Sequence, residues 1–173
     1  MSDYLLSNIE SERLLFRKVI PADFQDWLPF HEEPLSSQFW SGIPKDPYVA
    51  CEEQFSRIFE RYQEGSGGMN ALISKQTNEL VGLAGLLVQN VDKKIELEIG
   101  YSILPKYWRQ GFAYEAAEKC KSEAFDKRLA DSLISIIQIE NIPSQKTALK
   151  NGMYIDYKTT YKDNPVYIFR INK

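Results

Sequence analysis

Chemistry concentrates in the segment Leu104-Pro105-Lys106-Tyr107-Trp108-Arg109-Gln110-Gly111-Phe112-Ala113-Tyr114-Glu115-Ala116. A strand-like run ends before it, a short loop holds a glycine and a small residue, and a helical pattern follows. Such a loop turns several backbone N–H groups toward one point, and the helix N-terminus adds partial positive charge there. The combination suits a phosphate or pyrophosphate, with Gly111 and Ala113 letting the backbone approach closely. It is not a Walker A loop, because no Lys-Ser/Thr follows Gly111, and Gly-x-Gly-x-x-Gly does not occur. A glycine before a helix is also an ordinary turn, so the loop takes its meaning from the elements around it.

Those elements are legible as patterns. Leu14, Phe16 and Lys18 alternate as a first strand. Pro21 suits the first turn of a short helix through Trp27 and Leu28, which Pro29 should stop. The stretch from Glu32 to Pro47 reads as a long surface connection. Asp46-Pro47 reads as an N-cap with an N1 proline, and Cys51, Phe55, Ile58, Phe59 and Tyr62 recur behind it at helical spacing. After the breaker Gly65-Ser66-Gly67-Gly68, runs at 69–75, 80–89 and 94–103 predict an antiparallel meander, with turns at Asn78 and at Asn90-Val91-Asp92. In the last run Ile95, Leu97, Ile99, Tyr101 and Ile103 share one face. A helix over 114–128, a strand over 132–139, a helix over 142–151 and strands over 153–158 and 165–171 complete the order β-α-α-β-β-β-α-β-α-β-β. The helix after the loop should carry the chain across to a strand parallel to the last strand of the meander.

Composition narrows the function classes. The 173 residues hold 43% apolar and 26% charged side chains, which is a globular composition. One domain over 1–173, with its core over about 11–171, is expected. A net charge of -3 argues against a general nucleic-acid binder. Two cysteines and one histidine are too few for a disulfide scaffold or a Cys/His metal centre, so no metal is expected. The start of the chain lacks the pattern of a signal peptide and no apolar run reaches membrane-span length, which points to a cytoplasmic domain with no membrane partner.

The chain resembles the GNAT acyl-CoA N-acyltransferases, and among them the RimJ/RimL-like branch. The resemblance spans nearly the whole chain, from Ser11-Glu12-Arg13-Leu14-Leu15-Phe16-Arg17 to Phe169. It is carried by Glu98-Ile99-Gly100-Tyr101-Ser102-Ile103, by the 105–116 segment, by Asn141-Ile142-Pro143-Ser144 and by the Asn151-Gly152-Met153 turn. The family's loop reads Gln/Arg-x-x-Gly-x-Gly/Ala. Here Gly111 and Ala113 are kept and Trp108 takes the first position.

The resemblance implies an α+β GNAT fold, a mixed sheet of about seven strands with a splayed parallel pair and about four flanking helices. It implies acetyl-CoA as co-substrate and no metal. The backbone of Tyr101, Ser102 and Ile103 would bind the pantetheine arm, with the Ile103 N–H near the thioester oxygen. Backbone from Arg109, Gln110, Gly111, Phe112, Ala113 and Tyr114 would hold the pyrophosphate, and Asn141 and Ser144 would lie along the arm. A primary amine, from a protein N-terminus or a small molecule, would attack the thioester directly, in a monomer or a homodimer.

Glu98 is the candidate base because it lies beside the pantetheine strand, on the face that also carries Glu96, Gly100 and Ser102. The bland reading is a solvated acid on a sheet. Where the family often has a thiolate-protonating tyrosine, this chain has Ala148; Tyr154 and Tyr167 are the stand-ins considered. Trp27, His31 and Trp40 are candidate acceptor contacts, against core packing or a surface loop. Cys51 and Cys120 fall on apolar helix faces and should be inert. Two other readings stay open: a non-catalytic acyl-CoA-binding or sensor module, and an α/β binder of some other phosphate ligand.

Overall fold

Asp46 shows how local signals set the elements. Its carboxylate accepts from the N–H groups of Tyr48 (2.8 Å) and Val49 (3.1 Å), and Pro47 follows at the first helical position. In this computed structural model, which describes residues 4–173, the chain forms β1 (Ile9–Glu10), β2 (Leu14–Lys18), α1 (Phe24–Glu32), α2 (Pro47–Glu64), β3 (Gly67–Ser74), β4 (Leu80–Val91), β5 (Lys94–Ile103), α3 (Phe112–Asp126), β6 (Ser132–Gln138), α4 (Ile142–Lys150), β7 (Tyr154–Tyr161) and β8 (Asn164–Asn172). Part of the reading of the chain start falls on Met1–Asp3, which lie outside the described residues.

The strands form one sheet in the order β1-β2-β3-β4-β5-β6-β8-β7. Every neighbouring pair is antiparallel except β5 and β6, which are parallel, as the crossover through α3 requires. The sheet thus has eight strands instead of seven. The added one is the two-residue β1, too short to show any alternation, held on β2 by the register Ile9↔Phe16 and Glu10↔Leu15.

Two further expectations are corrected. Pro29 does not stop α1; it lies inside the helix, which runs on to Glu32. Its ring removes one backbone donor, but Trp27, Phe30 and His31 are buried along the helix, and that burial holds it together. The turn after β4 is Asp92-Lys93, both at positive φ (49° and 66°), a two-residue hairpin turn of the primed type, so Val91 belongs to the strand. Ile95 is 71% exposed despite sharing the parity of Leu97 and Ile99, because the core cluster under α3 begins at Leu97.

The sheet is covered on both faces. On one, Leu14, Phe16, Leu72, Leu86, Leu97 and Ile99 pack with the α3 residues Ala116, Ala117, Cys120 and Ala124. On the other, Trp27, Phe30, Cys51, Phe55 and Ile58 from α1 and α2 pack on Ala71, Ile73 and Leu83. Both cysteines are buried, and burial raises both thiols, Cys51 to about 12. Among the described residues no helix is long and apolar enough to cross a membrane.

Gly85 sits at the centre of this sheet, paired with Met69 on β3 and Gly100 on β5. A Cβ there would fall on the Gly68 carbonyl oxygen, a backbone atom that no rotamer change can move aside. Gly85→Ala should therefore lower unfolding stability by about 1–3 kcal/mol. A shifted denaturant midpoint at unchanged slope is the expected reading.

Candidate active site

The site begins where β5 and β6 part. The Leu104 N–H bonds the Val81 carbonyl at 3.0 Å, and the register pairs Leu83 with Ser102 and Gly85 with Gly100. Backbone groups alternate sides along a strand. Gly100 and Ser102 therefore spend theirs on β4, while Ile99, Tyr101 and Ile103 turn theirs toward β6. There the parallel register holds only at Glu98↔Ile134. One step further, a continued ladder would give the Ile99 carbonyl the N–H of Ile136. Instead the buried Ser135 hydroxyl donates to that carbonyl at 3.0 Å, and the Ile136 N–H acts on the Glu98 carboxylate, lowering its pKa against the effect of burial. Past this point Tyr101 and Ile103 present backbone groups to an opening. The indole Nε1 of Trp108 donates to the Ile103 carbonyl at 2.8 Å, which leaves the Ile103 N–H as the group facing the gap.

A cleft of about 310 Å³ occupies the opening, with Glu98, Gly100, Tyr101, Ser102, Ser135 and Ser144 in its wall. Glu98 lies on the α1/α2 side of the sheet. Burial raises its pKa, opposed by hydrogen bonds from Gln89 and the Ile136 N–H and by the charges of Arg61 and Lys162. Gln89 Nε2 donates to Glu98 Oε2 at 2.8 Å, while Gln89 Oε1 accepts from Arg61 (2.9 Å) and from the Tyr161 hydroxyl (3.1 Å). The Tyr101 phenol meets Ser144 Oγ at 2.8 Å and is pushed up to about 12 by burial, so it keeps its proton at neutral pH.

On the other side, the loop before α3 has the form its sequence suggests. Arg109 and Gly111 take positive φ (60° and 82°), with Gln110 between them at ordinary φ. That alternation turns successive N–H groups toward one side, a shape that suits anions. Gly111 occupies the N-cap position of α3 without a side-chain cap, so the first-turn donors stay available. Arg13 clamps the loop. Its guanidinium lies 4.0 Å from the Phe112 ring centroid, donates to the Gln110 carbonyl (2.9 Å) and pairs with Glu115 (2.6 Å). Glu115 also accepts from the Ser11 hydroxyl (2.6 Å) and the Arg13 N–H (2.7 Å).

The structure redistributes several expected roles. Ser102 reaches the cleft by its side chain and not its backbone, because its peptide groups belong to the β4 ladder. Asn141 is the N-cap of α4, its side-chain oxygen accepting from the Ser144 N–H at 3.2 Å. Trp27 and His31 lie behind the cleft wall instead of in it: both are buried, and both point a ring nitrogen at Gln54 Oε1 at 2.7 Å. An indole only donates, so the atom between them is oxygen and His31 holds its proton on Nε2. Burial lowers the His31 pKa, which keeps the ring neutral. Trp40 does line the cleft. Tyr154 is exposed and Tyr167 packs beside Ala148 and Phe169, so neither stands at the cleft. Sequence reading passed over Gln54, Arg57, Arg61, Gln89, Ser135 and Lys162. Two of them carried a signal, a glutamine on the apolar face of α2 and a serine within Leu133-Ile134-Ser135-Ile136-Ile137.

With this geometry in hand, known proteins give a consistent picture. Residues 13–154 match the family model described as an acetyltransferase (GNAT) domain. The chain is 25% identical to the N-acetyltransferase p20 of Bacillus licheniformis, itself uncharacterised, over 97% of both proteins. A shorter match to YkkB of Bacillus subtilis, 28% identical over 95 residues, covers 55% of each. Among solved structures, RimL, a ribosomal L7/L12 alpha-N-protein acetyltransferase in complex with coenzyme A, superposes with a TM-score of 0.72 at 13% identity, over 95% of this chain and 97% of that one. The spermidine N-acetyltransferase of Vibrio cholerae, in complex with CoA and spermine, gives 0.73 at 14% identity, over 92% and 95%.

The clamp on the loop makes a pH-dependent prediction. Burial raises the Glu115 carboxyl, but its hydrogen bonds from Ser11 and Arg13 outweigh that and hold it below the ordinary range. Its contribution is therefore complete above the unfolded value, about 4.3, and fades as pH falls through the lower folded value. Glu115→Gln should cost about 1–2 kcal/mol at pH 7. Chemical unfolding at a series of pH values should show wild type and variant converging in acid.

Proposed function

The chain belongs to the GNAT acetyltransferase family, and from that premise we propose that it transfers an acetyl group from acetyl-CoA to a primary amine by direct attack in a ternary complex. N-acetyl transfer is the family's chemistry, and acetyl-CoA is its usual co-substrate. The observation that carries the reading is the interrupted β5–β6 ladder. It turns the backbone of Tyr101 and the Ile103 N–H toward an opening, with the uncapped α3 N-terminus on one side and Glu98 on the other. We take residues 1–173 as one catalytic domain working in the cytoplasm, which two free, buried cysteines suit.

The pyrophosphate sits against the N–H groups from Arg109 to Tyr114, and the pantetheine arm continues the sheet along Tyr101 and Ile103. The thioester oxygen meets the Ile103 N–H, which stabilises the charge that develops there, worth about 3 kcal/mol. The acceptor comes from the α1/α2 side as an ammonium and loses one proton before attack. Its nitrogen then bonds to the acetyl carbon, the C–S bond breaks, and the second nitrogen proton leaves as the amide forms. Glu98 takes the first proton, directly or through water, and passes it to solvent before it takes the second. The leaving sulfur carries the bond pair and takes up one proton from water. Ala148, 2% exposed, has no group to donate it, and a thiol pKa near ~8.5 makes the thiolate a tolerable leaving group without one. A protein N-terminal amine is the acceptor favoured by the likeness to RimL; a small amine is the alternative.

Two variants separate binding from chemistry. Glu98→Gln should slow turnover by about 10²–10⁴-fold while CoA affinity by calorimetry barely moves. A base must be ionised, and burial raises Glu98. The wild-type kcat/KM should then fall with acid above the ordinary carboxylate range, and the variant should lack that limb. Turnover of Glu98→Gln near the wild-type rate would remove Glu98 from the mechanism. Gly111→Val should weaken CoA binding by about two to four orders of magnitude, through loss of charge-assisted hydrogen bonds and strain at φ 82°. Pantetheine, which has no pyrophosphate, should be affected far less. CoA binding without thiol release in any amine mixture would instead mark a non-catalytic CoA-binding module.

A further inference from the structure

The cleft carries an excess of positive charge on the side away from the α3 N-terminus. Its charged wall residues are Arg57, Arg61, Lys162 and Glu98. Arg57 and Arg61 lie one turn apart on α2, on the sheet face opposite α3. Their side of the cleft is therefore the acceptor side, and they are badly placed for the pyrophosphate. Arg61 is spent on neutral partners, the Ser66 carbonyl (3.0 Å), the Val88 carbonyl (3.1 Å) and Gln89 Oε1 (2.9 Å). Arg57 has one distant, exposed partner, Glu53 at 3.9 Å.

Lys162 comes from the other wall. With Asp163 it forms the two-residue turn between β7 and β8, both residues at positive φ. That turn is tied to the loop bearing Trp40: the Ser41 hydroxyl donates to the Lys162 carbonyl (2.8 Å), and Asn164 Nδ2 donates to the Phe39 carbonyl (2.7 Å). The Lys162 ammonium lies 5.3 Å from the Tyr161 ring centroid. Among the described residues neither Arg61 nor Lys162 makes an ion pair within 4.0 Å. Three cations thus face one carboxylate, and that carboxylate is the one the chemistry needs beside the amine.

We infer that the acceptor is an anionic amine, one that carries a carboxylate or phosphate near its nitrogen, with the amine at Glu98 and the anion between Arg57 and Lys162. This rests on the acetyl-transfer reading above. A polyamine would add positive charge to a chamber already positive, and like charges brought together oppose binding. An anionic group meets Lys162, which has no ion-pair partner among the described residues, and Arg57, whose one partner is exposed and 3.9 Å away. Two sources share this chemistry, a free amino acid or amino phosphate, and the N-terminus of a peptide with an acidic residue close behind.

Thiol release from acetyl-CoA by the full chain tests the assignment in two arms. One compares glutamate, aspartate and 2-aminoethyl phosphate with glutamine, asparagine and ethanolamine. The other compares peptides beginning Ser-Glu, Ser-Gln and Ser-Lys. Spermidine is assayed beside both. In one arm the anionic member should exceed its neutral counterpart by about tenfold or more in kcat/KM, with spermidine poorest; the arm that shows it names the source. Arg57→Ala and Lys162→Ala should each bring the anionic-to-neutral ratio toward one through KM, and added salt should narrow it, while CoA affinity by calorimetry stays as in wild type. Spermidine or the neutral amines matching the anionic ones would overturn the acceptor assignment and leave acetyl transfer standing. A loss of CoA affinity in the two variants would overturn it as well, by placing the cations on the cofactor. No release with any amine, with CoA bound, would overturn acetyl transfer and this assignment with it.

Discussion

The architecture turns on a hydrogen bond that two strands do not make. A parallel ladder would normally run the length of β5 and β6, closing the middle of the sheet. The Ser135 hydroxyl ends it by donating to the Ile99 carbonyl. That bond matters because buried backbone groups cannot be left without partners at low cost. It satisfies the carbonyl at the point of divergence, and backbone beyond it is left to face a cleft. The proposed base, Glu98, belongs to the one residue pair that joins β5 to β6, Glu98↔Ile134, so the place where the sheet opens also sets where Glu98 stands.

The remaining structure holds that opening in shape. On the α1/α2 side, Trp27 and His31 converge on one oxygen of Gln54. This fixes which end of the amide faces the cleft, since two donors already occupy the oxygen. On the α3 side, Arg13 binds the loop from just before β2, far away in sequence, joining the Gln110 carbonyl, the Phe112 ring and Glu115. Neither device touches the reacting atoms as proposed. Each removes freedom from a neighbouring group, Gln54 in the cleft wall or the loop before α3, and preorganisation of that kind lowers the cost of binding.

Features set by local chemistry were legible in the sequence. The Asp46-Pro47 helix start, the meander and the Gly111 loop each follow from short-range sterics or capping, and each lies where the pattern puts it. What escaped depends on contacts between distant segments. Pro29 reads as a stop because propensity is local, whereas α1 continues because its buried face packs on α2 and the sheet. Trp27 and His31 read as site residues by type, yet tertiary packing puts them one layer behind Gln54. Lys162 lies in a turn that shows no chemistry until the fold brings it beside Glu98. Ser102 is the most local failure. Its side chain and its peptide groups point in different directions, and which of them meets the cleft depends on the β4 register.

The uncapped α3 N-terminus and the cation-lined cleft lie at different places on the sheet, the second under α2 and the β7–β8 turn. On the proposed reading, cofactor and acceptor therefore approach from different directions, and neither has to displace the other to bind. The order of arrival and departure is then left to the relative affinities of the ligands, where a single shared mouth would have dictated it.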